Sequence, residues 1–340
     1  MSCSLRSWRS LVNHNYLHAC FSQNINPLSL SGERIHRERG FQVRRLGYHI
    51  NTSEEINTVF KGVTKIMFTR DPYQKIFSAY TDKIYTTAFL PMCRDIVQRM
   101  QPWYERKYIS SKAALNISFS SFLEYTLLRF GPGDGDFMMG ASDHVQPPAR
   151  HCDVCHVDYD VIGKMETFND DFRYFMTIIN QTKLLRSMGD MEGSNAKKAL
   201  SDIVKRTLTD ILDCDYKNAL LRRLWSLFQI RGFIDDDFKF PLHGDEESIC
   251  SIEIERFENL ALDALSTSGP RAKLKSQRKE YYLKAFRSAP LDVLNRYSRF
   301  VQRDCDLFGY DCSPKEIFQG RKDGDEQRNI FSDIKYMYNL

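Results

Sequence analysis

Arg70 and Ser78 are the residues of this chain best placed by type and spacing to hold an anion. Arg70 ends the apolar run of residues 63–69, and Ser78 falls two turns into the amphipathic segment that opens at Asp71-Pro72. A guanidinium presents paired donors to phosphate oxygens, a hydroxyl adds another, and the open amides of a helix's first turn favour negative charge beside them. His144 is the second residue with reactive chemistry. In Asp143-His144-Val145-Gln146-Pro147 its imidazole could take a proton from a hydroxyl at neutral pH, although a histidine beside a turn is more often an exposed or packing residue. Cys152-x-x-Cys155, flanked by His151 and His156, is half of a structural zinc site, and no second pair at ligand spacing follows it. The expectation there is a structural disulfide, within the pair or to other cysteines. Lys164 and Glu166 are expected to be structural, with Glu166 and His151 next in line as a base after His144. Gly131-Pro132-Gly133-Asp134-Gly135 has the composition of a phosphate cradle but lacks the lysine and the helix of a nucleotide-binding loop, so it reads as a flexible loop.

These residues need elements to hold them. Val63, Ile66, Met67 and Phe68 form a short apolar run suited to a strand covered on both faces. Asp71-Pro72 starts a helix with a carboxylate cap and proline at the first position, and the spacing predicts helix over 72–86 with Tyr73, Ile76, Phe77, Tyr80 and Ile84 facing inward. Helix is also predicted over 119–130, ending at Gly131-Pro132. Residues 159–164 read as a second strand. Thr167 then caps a helix, with Asp170 completing the box and Phe168, Phe172, Phe175, Met176 and Ile179 on the core face. Charged amphipathic helices follow over 199–212 and 217–228. Pro290 opens a last helix with Leu291, Leu294, Tyr297 and Val301 inward, and Gly309 punctuates its end. In open α/β sheets ligands bind at the carboxyl ends of the strands, which is where Arg70 stands.

The string Arg70-Asp71-Pro72-Tyr73-x-Lys75-Ile76-x-Ser78-Ala79-Tyr80-x-x-Lys83 resembles the 3′-phosphate-binding motif of the Golgi carbohydrate sulfotransferases, the group that includes the chondroitin and dermatan enzymes. Two further blocks are similar in order and rough spacing. One runs from His144 through Cys152-x-x-Cys155 to Tyr159-Asp160-Val161-Ile162-Gly163-Lys164-Met165-Glu166-Thr167, with Val145 where tryptophan is usual; the other is the closing segment from Tyr297 to Tyr310. The resemblance implies an α/β, P-loop-like sulfotransferase fold, a central, mostly parallel sheet with helices on both faces. It implies 3′-phosphoadenosine 5′-phosphosulfate (PAPS) as co-substrate with no metal, Arg70 and Ser78 on its 3′-phosphate, a glycan or glycosaminoglycan acceptor, and His144 as the candidate base. The family's 5′-phosphosulfate loop is not matched: Trp8, Arg9 and Leu11 fit its end, but its lysine position falls on Ser2 and its hydroxyl position on Arg6. The expectation is a sequence that starts inside that motif; the alternative is a catalytically inactive lumenal relative that binds nucleotide or glycan. A nucleotide kinase or NTPase of similar topology is a third reading, against which stands the missing Gly-x-x-x-x-Gly-Lys.

A chain of 340 residues can bury one large α/β core or two modest domains. The expected layout is an entry segment at 1–62, a sulfotransferase domain at 63–311 with a divergent helical insertion at 189–286 as an added layer, and a tail at 312–340. The net charge is only +4, but Arg34, Arg37, Arg39, Arg44 and Arg45 cluster, as do Arg271, Lys273, Lys275, Arg278 and Lys279. Such clusters suit a polyanionic glycan and suit a solvated face equally well; no nucleic-acid fold signature accompanies them, so no nucleic-acid partner is expected. No apolar span or signal peptide is visible. The resemblance implies a Golgi lumenal domain joined to the membrane by an anchor outside these residues. The sequons at Asn51, Asn116 and Asn180 agree with that. Nine cysteines leave at least one outside any intrachain pairing.

Overall fold

The computed structural model describes residues 64–100, 113–131, 142–152, 154, 157–187, 193–209 and 211–319. The expected entry segment with its arginine cluster and Asn51, the loop after Gly131, Cys155, His156 and the end of the tail lie outside the described residues. The described part is mostly helical, with a small parallel sheet. It divides into two compact units. One comprises the described part of Met1–Pro72 with Gln146–Glu192 and Val301–Tyr310; the other comprises Tyr73–Val145, Gly193–Phe300 and the described part of Asp311–Leu340.

In the first unit β1 (Ile66–Thr69) pairs in parallel with β2 (Val161–Lys164), Ile66 opposite Val161 and Thr69 opposite Lys164. Asp160 closes the entry to this pair, since its carboxylate accepts the Lys65 N–H at 2.6 Å and faces the Lys65 ammonium at 3.4 Å. Both faces of β1 are covered, as its unbroken apolar run requires. Ile66 and Phe68 pack on Phe172, Phe175 and Met176 of the helix Phe168–Ile178, while Met67 packs on Ala149 and Phe308. Thr167 does not form the expected capping box. Its hydroxyl donates to the Asp171 carboxylate at 2.7 Å, and that same oxygen accepts the Lys164 N–H, so Asp171 rather than Asp170 closes the turn between strand and helix.

Gly163 explains itself by contact. A Cβ there would lie 2.4 Å from the Phe68 ring, and that ring cannot swing away freely because Phe168 holds it at 5.0 Å between centroids and Phe168 in turn stacks on Phe172. Gly163→Ala is expected to destabilise the protein by about 1–3 kcal/mol through overpacking, read as a lowered midpoint in thermal or urea denaturation.

The second unit is built on aromatic side chains. Tyr73, Ile76, Phe77, Tyr80 and Ile84 are all buried, as their spacing predicts. Tyr73 meets Phe286 and Tyr297 edge-on, Tyr80 meets Phe119, and Phe119 meets Phe286. The two tyrosines need partners for their hydroxyls, and find them in the carbonyls of Cys312 and Ile117. The predicted helix over 72–86 is α-helical only over Pro72–Ala79 and continues as a π turn, Tyr80–Ile84. Tyr80, Thr81 and Ile84 of that wider turn are buried, as is Tyr85 just after it. Helix Phe119–Phe130 matches its expected bounds.

The charged helices of the middle region are present with shifted limits, Gly193–Leu208 and Cys214–Ile230; Leu212, predicted helical, is 96 % exposed in the connection between them. A disulfide between Cys214 and Cys250 ties the second of these to helix Glu246–Cys250, and closing a loop of that length is worth about 4 kcal/mol in the chain-entropy account. Cys305 and Cys312 are disulfide-bonded too. Cys152 carries a thiol, which corrects the disulfide expected for it; Cys155 lies outside the described residues. The helix Leu291–Phe308 buries Leu294, Tyr297 and Val301 as predicted but leaves Leu291 half-exposed in its first turn, and Gly309 ends it at a φ of 66°.

Candidate functional site

Arg70 stands half-buried at the carboxyl end of β1, in the first unit. The turn that carries it is held by Glu166, expected from the sequence as a structural residue and as a reserve base after His144. Glu166, two residues past the end of β2, accepts the Asp71 backbone N–H at 2.9 Å with one carboxylate oxygen and the Tyr310 hydroxyl at 3.1 Å with the other. The parallel register explains this reach: Lys164 pairs with Thr69, so the chain just beyond Lys164 runs beside the chain just beyond Thr69. Tyr310 is held in turn, with the Lys164 ammonium 4.7 Å from its ring centroid. Burial pushes its phenol above the ordinary value, the neighbouring Glu166 pushes it further, and Thr69 acts in the opposite direction. Ala149, from the Pro148–His151 turn, donates its N–H to Asp304 at 2.8 Å. Three separate motif blocks, Lys65–Asp71, Gln146–Thr167 and Asp304–Tyr310, thus meet in this unit.

Ser78 and His144 belong to the second unit. Ser78 is half-buried near the end of the helix Pro72–Ala79, where its carbonyl accepts the Thr81 hydroxyl. His144 is exposed, on the short helix Ser142–Val145. It borders a narrow, shallow surface crevice that it shares with Ala79, Lys83, Phe89, Met92, Phe122 and Val145. The residue after Ser78 and the candidate base therefore line one crevice. The side chain of His151, an alternative base, lies outside the described residues.

Asp82, on the π turn beside Lys83, gathers cations from distant helices. Arg206 and Arg231 both donate to its Oδ1, at 2.9 and 3.1 Å, and Lys83 lies 2.9 Å from Oδ2. Burial alone would raise this carboxyl, but Arg206, Lys83 and Arg231 together outweigh it and hold the group well below the usual carboxylate range. A carboxyl lowered on folding adds stability above its unfolded value and loses it as the pH falls toward the folded one. Asp82→Asn is expected to cost about 2–3 kcal/mol at neutral pH, because Arg231 is left half-buried without its counter-charge. The difference between variant and parent should shrink in denaturation curves recorded progressively below about pH 4.

The second basic cluster is partly neutralised. Lys273 pairs with Asp235 and Asp237, and Lys279 with Glu316. They lie on one helix, Arg271–Arg287. Among the described residues no His, Cys, Asp and Glu group could hold a metal ion, and no helix is long and apolar enough to cross a membrane.

Comparison with known proteins adds a second line of evidence. Residues 9–229, well over half of the chain, match the family described as "Sulfotransferase family". Carbohydrate sulfotransferase 11 of Danio rerio is 30% identical over 135 residues, covering 39% of this chain and 37% of the relative. Carbohydrate sulfotransferase 9 of Homo sapiens is 26% identical over 164 residues, 46% of this chain and 34% of the relative. Carbohydrate sulfotransferase 8 of Homo sapiens is 27% identical over 125 residues, 36% and 28%. The chain spans about a third of the length of the curated relatives it matches. No solved structure matches.

Proposed function

The chain belongs to the sulfotransferase family, and from that membership we propose that it transfers a sulfuryl group from PAPS to a sugar hydroxyl of a glycan or proteoglycan. The observation that carries this reading is the strand–turn–helix segment from Ile66 to Ala79, which puts Arg70 at a strand's carboxyl end and Ser78 on the helix that follows. The relatives' names, all carbohydrate sulfotransferases, supply the acceptor class. The fold proposed with it is the P-loop-like sulfotransferase architecture, the observed parallel pair being part of a larger sheet with helices on both faces and 189–286 an added helical layer. The domain spans 63–311, preceded by an entry segment at 1–62 and followed by a tail.

PAPS supplies an activated sulfuryl group whose departure leaves adenosine 3′,5′-bisphosphate. Toward it, Arg70 and Ser78 hold the 3′-phosphate, both half-buried and so able to make charge-assisted bonds that water only partly screens. His144 accepts the proton of the acceptor hydroxyl while the new bond from sugar oxygen to sulfur forms and the bond from phosphate oxygen to sulfur breaks. A Golgi lumenal setting fits the Cys214–Cys250 disulfide and the exposed asparagines of two sequons, Asn116 and Asn180, with the membrane reached through an anchor outside these residues. The second reading, a catalytically inactive relative, is favoured by Ser2 standing at the family's phosphosulfate lysine position.

Calorimetric titration tests the nucleotide site. The protein should bind adenosine 3′,5′-bisphosphate at least about tenfold more tightly than adenosine 5′-monophosphate, the contribution expected of a paired phosphate. Equal affinities would remove the 3′-phosphate role of Arg70 and Ser78.

A further inference from the structure

We propose that Glu166 is a positioning residue for nucleotide binding, acting through the Arg70 turn; this rests on the reading of that turn as the 3′-phosphate site. Both of its carboxylate oxygens are engaged, and by different parts of the chain. One accepts the N–H of Asp71, the residue directly after Arg70; the other accepts the hydroxyl of Tyr310, whose ring lies under the Lys164 ammonium. The Asp71 N–H lies at the point where the strand ladder has ended and the helix Pro72–Ala79 has not begun, so neither element's regular pattern supplies it with an acceptor. Proline at position 72 fixes its own φ and limits the conformations of Asp71. The bond to Glu166 adds a further constraint at the Arg70–Asp71 junction. A guanidinium binds phosphate tightly only if its backbone is already set, since ordering the turn on binding would subtract from affinity.

The geometry separates this role from two others. Glu166 is an exposed residue, so its bonds contribute little to global stability and its replacement should leave the fold intact. Its negative charge, taken alone, would repel a phosphate near Arg70. A charge effect and a positioning effect therefore have opposite signs, and variants can tell them apart.

The test compares Glu166→Ala with Glu166→Gln in the full chain. An amide oxygen can still accept the Asp71 N–H and its amino group can donate to the Tyr310 oxygen, whereas alanine can do neither. Glu166→Ala is expected to weaken adenosine 3′,5′-bisphosphate binding about five- to tenfold, leave adenosine 5′-monophosphate binding unchanged, and speed hydrogen exchange at the Asp71 amide, with the melting midpoint held within about 2 °C. Glu166→Gln should restore most of the bisphosphate affinity and the slow exchange. Equal or tighter bisphosphate binding in both variants would overturn the inference and leave Glu166 as surface charge. Parallel losses for both nucleotides with a lowered midpoint would also overturn it, in favour of general structural support. Should the parent protein fail to prefer the bisphosphate while Glu166→Ala still speeds Asp71 exchange, the phosphate reading of the turn fails, the anchor stands as structure only, and the inference falls with the reading.

Discussion

Replacing His144 with asparagine is expected to lower turnover at least about 100-fold while nucleotide affinity stays at the parental value. A sugar hydroxyl is a weak nucleophile at neutral pH, and its proton must leave as the new bond to sulfur forms. A neutral imidazole can take that proton; an asparagine of similar size keeps a donor but has no basicity. The effect should therefore appear in kcat and not in binding, because proton transfer is made only in the transition state. His144 is exposed beside the crevice bordered by Lys83 and Ala79, so the substitution removes little packing. The measurement is steady-state sulfate transfer alongside thermal denaturation. Near-normal turnover with an earlier melt would make His144 a packing residue and return the search for a base to Glu166 and His151.

Arg70→Ala should show the reverse pattern. Losing a charge-assisted pair to phosphate costs about 1.5–3 kcal/mol, roughly 10- to 150-fold in affinity for adenosine 3′,5′-bisphosphate. Adenosine 5′-monophosphate, which has no 3′-phosphate, should bind the variant and the parent alike. Calorimetry with the two nucleotides reads both outcomes. A uniform loss for both would mean that Arg70 contacts another part of the nucleotide or supports the turn.

Local structure was legible wherever one periodicity ran without conflict. The buried stripe of the first helix, the limits of the helix Phe119–Phe130 and both strands could be read because apolar spacing and capping residues agreed there. The π turn was not legible, since a single turn of i→i+5 hydrogen bonding is too short to leave a period of its own in the apolar spacing. The Thr167 box failed because Asp171 competed for the same hydroxyl, and at sequence level Asp170 and Asp171 look equivalent. Arg70, Ser78 and His144 carried signals of residue type and local motif. Glu166 carried none that pointed to the Asp71 amide: that bond exists only because the parallel register sets Lys164 opposite Thr69, and register is a long-range property. Its place between Lys164 and Thr167 in the second motif block was the available clue, and a charged residue beside a strand has too many ordinary explanations to single it out.

Radiolabelled transfer decides whether the protein moves sulfate to a sugar. The full chain is incubated with PAPS labelled in its sulfuryl group and with desulfated chondroitin, and the label on the polysaccharide is counted. Label is expected on the glycan at a rate that falls with Arg70→Ala and collapses with His144→Asn. A protein that binds adenosine 3′,5′-bisphosphate normally yet labels neither chondroitin nor any of a panel of related glycans would contradict it, and would establish a nucleotide-binding relative without transfer activity.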